Sequence, residues 1–119
     1  MSEFKNLSFT ERGLLSKKIR KTYPNRIPVI IKLEENSNLK CTKFKFLAPN
    51  DIILSSFINE LRTKHIKDLT AKQALFVTIN NIMPPINSQF EELYDRYKNR
   101  DGFLYLNISV ENTFGCINK

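Results

Sequence analysis

The sequence predicts an α+β fold, one sheet crossed by helices, and three observations carry that prediction. Two strand-like runs at 28–33 and 43–47 are separated by the polar stretch 34–38, which is the pattern of a hairpin. Leu54, Phe57, Ile58 and Leu61 then recur at helical spacing, directly after the hairpin they would cover. Two further strand-like runs follow, at 75–79 and 103–110, with a short helical pattern between them.

The elements can be justified in order. Ser8-Phe9-Thr10-Glu11 has the form of a capping box and opens a helix expected to run to Thr22. Leu15, Ile19 and Tyr23 form one stripe of it, while Lys17, Lys18, Arg20 and Lys21 spread over the other faces. Pro24 and Pro28 end the helix and begin a strand, because proline disfavours helix in the residue before it. Val29-Ile30-Ile31 is apolar on both faces of an extended chain, as in the centre of a sheet covered on two sides.

In the run 43–47, Lys43, Lys45 and Leu47 share one face and Phe44, Phe46 and Ala48 the other. Two lysine stems and a leucine suit either the rim of a groove or an edge strand with snorkelling lysines. Pro49-Asn50-Asp51 supplies a turn and an expected N-cap for the crossing helix, with His65 near its end as a surface or capping residue. Asn80-Asn81 and Pro84-Pro85 close the third strand. Ser88-Gln89-Phe90-Glu91 repeats the capping-box form, and Phe90, Leu93, Tyr94 and Tyr97 make the stripe of a short helix. In the last strand Leu104, Leu106, Ile108 and Val110 face the core, with Phe103 and Tyr105 on the opposite side. A hairpin, a crossing helix and two further strands describe a β-grasp sheet with a basic helix added in front.

At 119 residues, 41% of them hydrophobic, the chain suits one domain with one core. It divides into an N-terminal helical extension at 1–24, the β-grasp body at 25–110, and a tail at 111–119 without periodicity. The net charge of +7 favours acidic partners, whether nucleic acid, anionic lipid or acidic peptide. Two cysteines without a CxxC motif suit a reducing cytosol. No apolar stretch approaches the ~20 residues needed to span a bilayer, so membrane residence would come from an anchor or from surface binding.

Catalytic chemistry is not indicated. Three glycines make no phosphate loop, no His, Cys and carboxylate set has metal spacing, and nothing pairs Cys41 or Cys116 with His65 as nucleophile and base. The tail offers a different chemistry. Gly115, lacking a Cβ, can enter a narrow protease cleft, and its carboxylate can then be activated with little hindrance, although an ordinary terminus can also contain a glycine. Cys116-Ile117-Asn118-Lys119 is a poor prenylation box, since Asn118 is not aliphatic and Lys119 is not a usual final residue.

These residues resemble the autophagy ubiquitin-like modifiers, typified by microtubule-associated protein light chain three and the GABA receptor-associated protein. The resemblance is carried by Lys18-Ile-Arg-Lys with Tyr23-Pro-x-Arg-Ile-Pro-Val-Ile31, by Lys45-Phe-Leu-x-Pro49, Gln73-Ala-Leu-Phe76 and Asn80-Asn-x-x-Pro-Pro85, and by Asp101-Gly-Phe-Leu-Tyr105 with Glu111-x-Thr-Phe-Gly115. It spans residues 9–115 and implies a ubiquitin-like β-grasp fold.

It also implies that a processing cysteine protease cuts between Gly115 and Cys116. Activating and conjugating enzymes would then carry the Gly115 carboxylate as a thioester and join it to phosphatidylethanolamine, with no other cofactor. The cytoplasmic protein would thereby become anchored on autophagosome and related vesicle membranes and recruit autophagy receptors bearing an aromatic-x-x-aliphatic motif. The aromatic pocket would be lined by Ile19, Pro28, Lys45, Leu47 and Phe103, and the aliphatic pocket by Phe46, Pro49, Ile52, Phe57 and Leu61. Arg26, Lys43 and Lys64 would meet acidic residues flanking the motif.

Leu15 stands where these proteins commonly carry an acidic residue, which shifts the expected motif preference toward apolar peptides. Ser55 replaces a usual glycine, and the segment 65–68 is longer than usual. Two other readings stay open. One is a ubiquitin-like peptide-binding adaptor that is not conjugated. The other is a small basic RNA-binding module, faintly suggested by Arg100-Asp-Gly-Phe-Leu-Tyr-Leu106 but with the wrong order of elements.

Overall fold

The computed structural model describes residues 2–34 and 39–112. Most of the polar stretch after Leu33, and the end of the tail with Gly115 and Cys116, lie outside the described residues. In chain order the elements are α1 (Ser2–Lys5), α2 (Phe9–Thr22), β1 (Arg26–Leu33), β2 (Lys40–Cys41), β3 (Lys45–Pro49) and α3 (Leu54–Glu60), which passes into a π-helical turn (Leu61–His65). Then come β4 (Ile66–Lys67), β5 (Gln73–Thr78), α4 (Phe90–Tyr97) and β6 (Leu104–Asn112).

The main sheet has the order β3-β1-β6-β5. Its central pair, β1 and β6, runs parallel, while β3 and β5 pair antiparallel at the two edges. Because Val29-Ile30-Ile31 is apolar on both faces, β1 can sit in the middle and supply two cores. Val29 and Ile31 join Leu104, Leu106 and Ile108 on the face covered by α3 and α4. Ile30 and Phe103 point to the other face, where they meet Phe4, with Leu7, Leu15, Ile19 and Tyr105 packed around them. The expected burial on both sides is therefore present, and the N-terminal extension covers the second side. Among the described residues, no helix is long and apolar enough to cross a membrane.

The short helix α1 has no counterpart in the periodicity of the sequence. One side chain explains it: Phe4 is buried with its ring edge-on to Phe103 at 5.1 Å between centroids. The capping box of α2 forms as expected, with Glu11 N–H donating to Ser8 Oγ (3.1 Å) and Ser8 N–H to Glu11 Oε1 (2.8 Å). Those bonds hold the Glu11 carboxyl below its ordinary pKa. Tyr23 departs from the expected stripe and is half exposed. It is the C-cap residue, with φ −127° and ψ 73° outside the helical region, so its side chain leaves the line of Leu15 and Ile19.

Two expected caps are not the ones used. Asp51 does not cap α3, and Ser88 does not open a capping box for α4: the cap positions are Ile53 and Gln89, and neither gives a side-chain hydrogen bond. The two helix starts instead satisfy each other through backbone. Leu54 and Ser55 N–H donate to the Ser88 and Ile86 carbonyls, while Phe90 and Glu91 N–H donate to the Ile52 and Asn50 carbonyls. Ile53 and Gln89 bridge between them. A side-chain cap is redundant once a neighbouring chain supplies the acceptors.

Strand limits also shift. The second strand begins at Lys45 rather than Lys43, and β6 runs through Asn112, because Glu111 and Asn112 still pair with Ala74 and Gln73. A small second sheet, β2 with β4, was not legible in two-residue strands.

Candidate functional site

The edge strand β3 and helix α2 enclose a cavity of about 320 Å³. All five residues expected of an aromatic pocket line it: Ile19 from α2, Pro28 from β1, Lys45 and Leu47 from β3, and Phe103 just before β6. Leu15 adds an apolar wall one helical turn before Ile19, and Lys43 stands at the mouth. Sheet register explains the convergence, since Pro28 lies opposite Leu47 and Ile30 opposite Lys45. Leu47 remains 38% exposed, which makes it the accessible apolar residue of the rim.

The same edge offers main-chain groups. Ile31 N–H bonds to the Phe44 carbonyl at 2.8 Å, so by antiparallel alternation Phe44, Phe46 and Ala48 direct their backbone groups toward β1. Lys45 and Leu47 consequently turn theirs outward, and both residues line the cavity, together with Lys43 and Phe46. Arg26, exposed at the start of β1, donates to the Leu47 carbonyl at 3.3 Å. An added strand would have to exchange that long bond.

The five residues expected of an aliphatic pocket are not equally accessible. Phe57 and Leu61 are buried to 2% and 0% in the main core, so they back the surface rather than form it. Pro49 and Ile52 are half-buried. Phe46 is buried between them and the first cavity, edge-on to Phe57 (5.3 Å) and His65 (5.1 Å), with Lys43 Nζ 4.8 Å from its ring centroid. Lys64 is on the π-helical turn, exposed and 3.9 Å from Glu60.

Asp101 is the contact that sequence reasoning missed. It is 1% exposed and sits where α2 meets the start of β6. Arg12 Nε donates to Asp101 Oδ2 at 3.0 Å, Tyr105 Oη donates to the same oxygen, and Phe103 N–H donates to Oδ1 at 3.0 Å. Ser16 Oγ donates to the Asp101 carbonyl at 2.6 Å. Burial, then the bond to Asp101, pushes the Tyr105 hydroxyl well above its ordinary pKa. Arg12 lies three and seven residues before Leu15 and Ile19 on one helical stripe, and that spacing was the available signal.

Cys41 does not pair with His65. Its Sγ is 2.9 Å from the Lys43 carbonyl, and burial pushes the thiol pKa up, the opposite of an activated nucleophile. His65 Nδ1 is 3.2 Å from Thr42 Oγ1 instead. Among the described residues, no group of three or more His, Cys, Asp or Glu could hold a metal ion.

A family model described as "Autophagy protein Atg8 ubiquitin like" matches residues 11–115. The chain belongs to this family. Autophagy-related protein 8 of Dictyostelium discoideum is 39% identical over 117 residues, covering 97% of this chain and 95% of that protein. Autophagy-related protein 8 of Schizosaccharomyces pombe is 40% identical over 118 residues, covering 98% and 96%. The crystal structure of Trypanosoma brucei ATG8 superposes with a TM-score of 0.79 at 36% identity, covering 93% of this chain and 95% of that one. Plasmodium falciparum Atg8, solved in complex with a Plasmodium falciparum Atg3 peptide, superposes at 0.75 with 33% identity, covering 88% and 92%. As an Atg8-family member the chain is an autophagy-related ubiquitin-like modifier with the α+β fold expected above, and not itself an enzyme.

Proposed function

We propose that this chain is trimmed after Gly115, joined through the freed carboxylate to phosphatidylethanolamine, and then used on autophagosomal membranes to recruit receptors bearing an aromatic-x-x-aliphatic motif. The observation that carries the receptor half of this reading is the cavity of Ile19, Pro28, Lys45, Leu47 and Phe103 beside the outward-facing backbone of β3. A peptide would add a strand to that edge and seat its aromatic side chain in the cavity. The apolar wall at Leu15 favours residues beside the aromatic position that are apolar rather than basic. Arg26 and Lys43 stand at the rim to meet acidic flanks. Because Phe57 and Leu61 are buried, the aliphatic residue rests on Pro49 and Ile52 unless Phe46 moves aside.

The attachment half is supported by membership of the family and by the position of β6. Its last described pair joins Gln73 to Asn112, and in the sequence only Thr113 and Phe114 stand between that pair and Gly115. The Plasmodium falciparum neighbour, solved with an Atg3 peptide, supports a conjugating enzyme among the partners, alongside the protease and the activating enzyme. Location then follows the anchor, cytoplasmic before attachment and vesicular after it.

Intact mass of the membrane-bound protein from cells tests this directly. The expected mass ends at Gly115 and carries phosphatidylethanolamine. Gly115→Ala should abolish trimming and attachment, while Cys116→Ser should leave attachment intact. An unmodified chain that still binds receptors would make it a non-conjugated adaptor, and loss of anchoring in the cysteine variant alone would point to prenylation.

A further inference from the structure

Helix α2 has a second face in use. Leu15 and Ile19 line the cavity described above, whereas Lys17 and Arg20 turn to the opposite side, where they face the loop 98–102 across a cleft of about 530 Å³. Lys98 and Arg100 bring two more cations to its other wall. Among the described residues, none of these four forms an ion pair. The single acid at the cleft, Asp101, is buried and already accepts from Arg12, Tyr105 and the Phe103 N–H, so it does not offset them.

The floor is the Tyr94 ring. Arg20 Cζ lies 5.0 Å and Lys98 Nζ 5.4 Å from its centroid, so two like charges are held around one aromatic ring. The walls are fixed by hydrogen bonds from Tyr94 Oη to the Gly102 carbonyl (2.8 Å) and from Ser16 Oγ to the Asp101 carbonyl (2.6 Å). The cleft is thus preformed, and it gathers four cations without an ion-pair partner among the described residues, of which Arg20 also donates to the Pro24 and Arg26 carbonyls at 3.2 and 2.8 Å.

We propose that this cleft is a second binding site, for an acidic peptide segment of a partner protein, separate from the aromatic cavity and able to be filled at the same time. Charge complementarity selects an anion. The shape selects a peptide: the Tyr94 ring makes an apolar floor, the Gly13 and Gly102 positions carry no side chain to block approach, cations stand around them, and the volume lies in the ~300–1,000 Å³ range of ligand pockets. A carboxylate-rich segment with an interposed apolar side chain matches that arrangement better than a compact phosphate.

A lipid headgroup fits less well, and this choice of occupant rests on the tail anchor proposed above. Gly102 and Asn112 lie at opposite ends of β6, roughly 30 Å apart at ~3.4 Å per residue. The cleft therefore lies at the far end of β6 from the tail that the membrane would hold. A partner filling both sites must cross α2, whose diameter with side chains is about 10–12 Å. At least about four extended residues must then separate its acidic segment from its aromatic residue.

The probe is the acetylated, amidated peptide Glu-Glu-Leu-Glu-Glu, titrated at low salt into the isotope-labelled full chain. Amide shifts are expected at Lys17, Tyr94, Lys98 and Arg100, unchanged when a Trp-x-x-Leu peptide saturates the other cavity. Lys98→Glu with Arg100→Glu should weaken binding at least tenfold. Lys40→Glu with Lys67→Glu, the same change in net charge on the small sheet, should weaken it less than threefold. Displacement by the Trp-x-x-Leu peptide would overturn the proposal, and so would equal losses in the two double variants. Binding of inositol hexakisphosphate or phosphoinositide vesicles without binding of the peptide would also overturn it, and would return the cleft to a phosphate or membrane role. Absence of lipid on Gly115 would leave the shift map standing, so the two readings fail separately.

Discussion

Replacing Asp101 should detach the N-terminal extension from the β-grasp body. In Asp101→Ala, the Phe103 N–H and the Tyr105 hydroxyl lose their buried acceptor, at about 1–3 kcal/mol each. Arg12 also loses its carboxylate, but its side chain is 26% exposed and keeps a bond to the Leu7 carbonyl at 2.8 Å, so water offsets part of that loss. The sum is about 4 kcal/mol, within the range for breaking one side of a buried ion pair. Asp101→Asn keeps an acceptor for Phe103 and loses chiefly the charge, about 2 kcal/mol. With a urea m-value of about 1.5 kcal/mol/M, the midpoints should fall by about 2.7 M and 1.3 M. Because Leu15 and Ile19 ride on α2, binding of a Trp-x-x-Leu peptide should weaken in parallel. A cycle with Arg12→Met should give a coupling near 1–2 kcal/mol. A midpoint shift below about 0.7 M for the alanine variant, or unchanged amide exchange along α2, would refute the role assigned to this carboxylate.

Three other outcomes can be checked. Gly102→Ala should destabilise by about 3 kcal/mol, because residue 102 has φ +88° and the added Cβ would fall 2.1 Å from Ser16 Oγ; Gly13→Ala, with nothing within 4 Å of its Cβ, should instead stabilise α2 by about 0.5–1 kcal/mol in the same urea assay. Tyr105 titrates above its unfolded value near 10, so its contribution is complete below pH 10 and is lost as the pH rises toward its raised folded value. Stability measured from pH 9 to 11.5 should therefore fall more steeply in the parent than in Tyr105→Phe, and equal slopes would contradict the assignment. Leu47→Ala should weaken a Trp-x-x-Leu peptide by more than about 1 kcal/mol in calorimetry while leaving the thermal midpoint nearly unchanged. Phe103→Ala is a poorer probe, since that ring also packs in the second core.

Much of this architecture was legible because the strongest signals are periodic. Val29-Ile30-Ile31 required a strand covered on both faces, and the two clusters around it meet that requirement. The aromatic cavity was reached through resemblance, and its five residues do converge, because the register sets Pro28 beside Leu47. What escaped depends on contacts distant in sequence. Asp51 and Ser88 are correct cap residues by local chemistry, yet backbone carbonyls more than 30 residues away took the work. Burial of Phe57 and Leu61 depends on how α3 presses on Phe46, which helical spacing alone does not report. Phe4 lies outside any pattern, and Arg12, although in line with Leu15 and Ile19, acquires meaning only once Asp101 is placed beside it, as Phe4 does with Phe103.

The parallel pairing of β1 with β6 also governs how the chain comes to be folded. Val29 must find Leu104, about 75 residues later, and the last strand made is the one inserted at the middle of the sheet. Loop closure on that scale has to precede the contacts that reward it, which makes folding slow relative to a helical bundle of the same size. During synthesis at about 5–20 residues per second, Ile30 and Ile31 wait several seconds for their neighbour. Until β6 is made, β1 lacks the central neighbour that covers its apolar residues. Because the tail bearing Gly115 follows β6 immediately, it emerges at nearly the moment when the body it belongs to can first close.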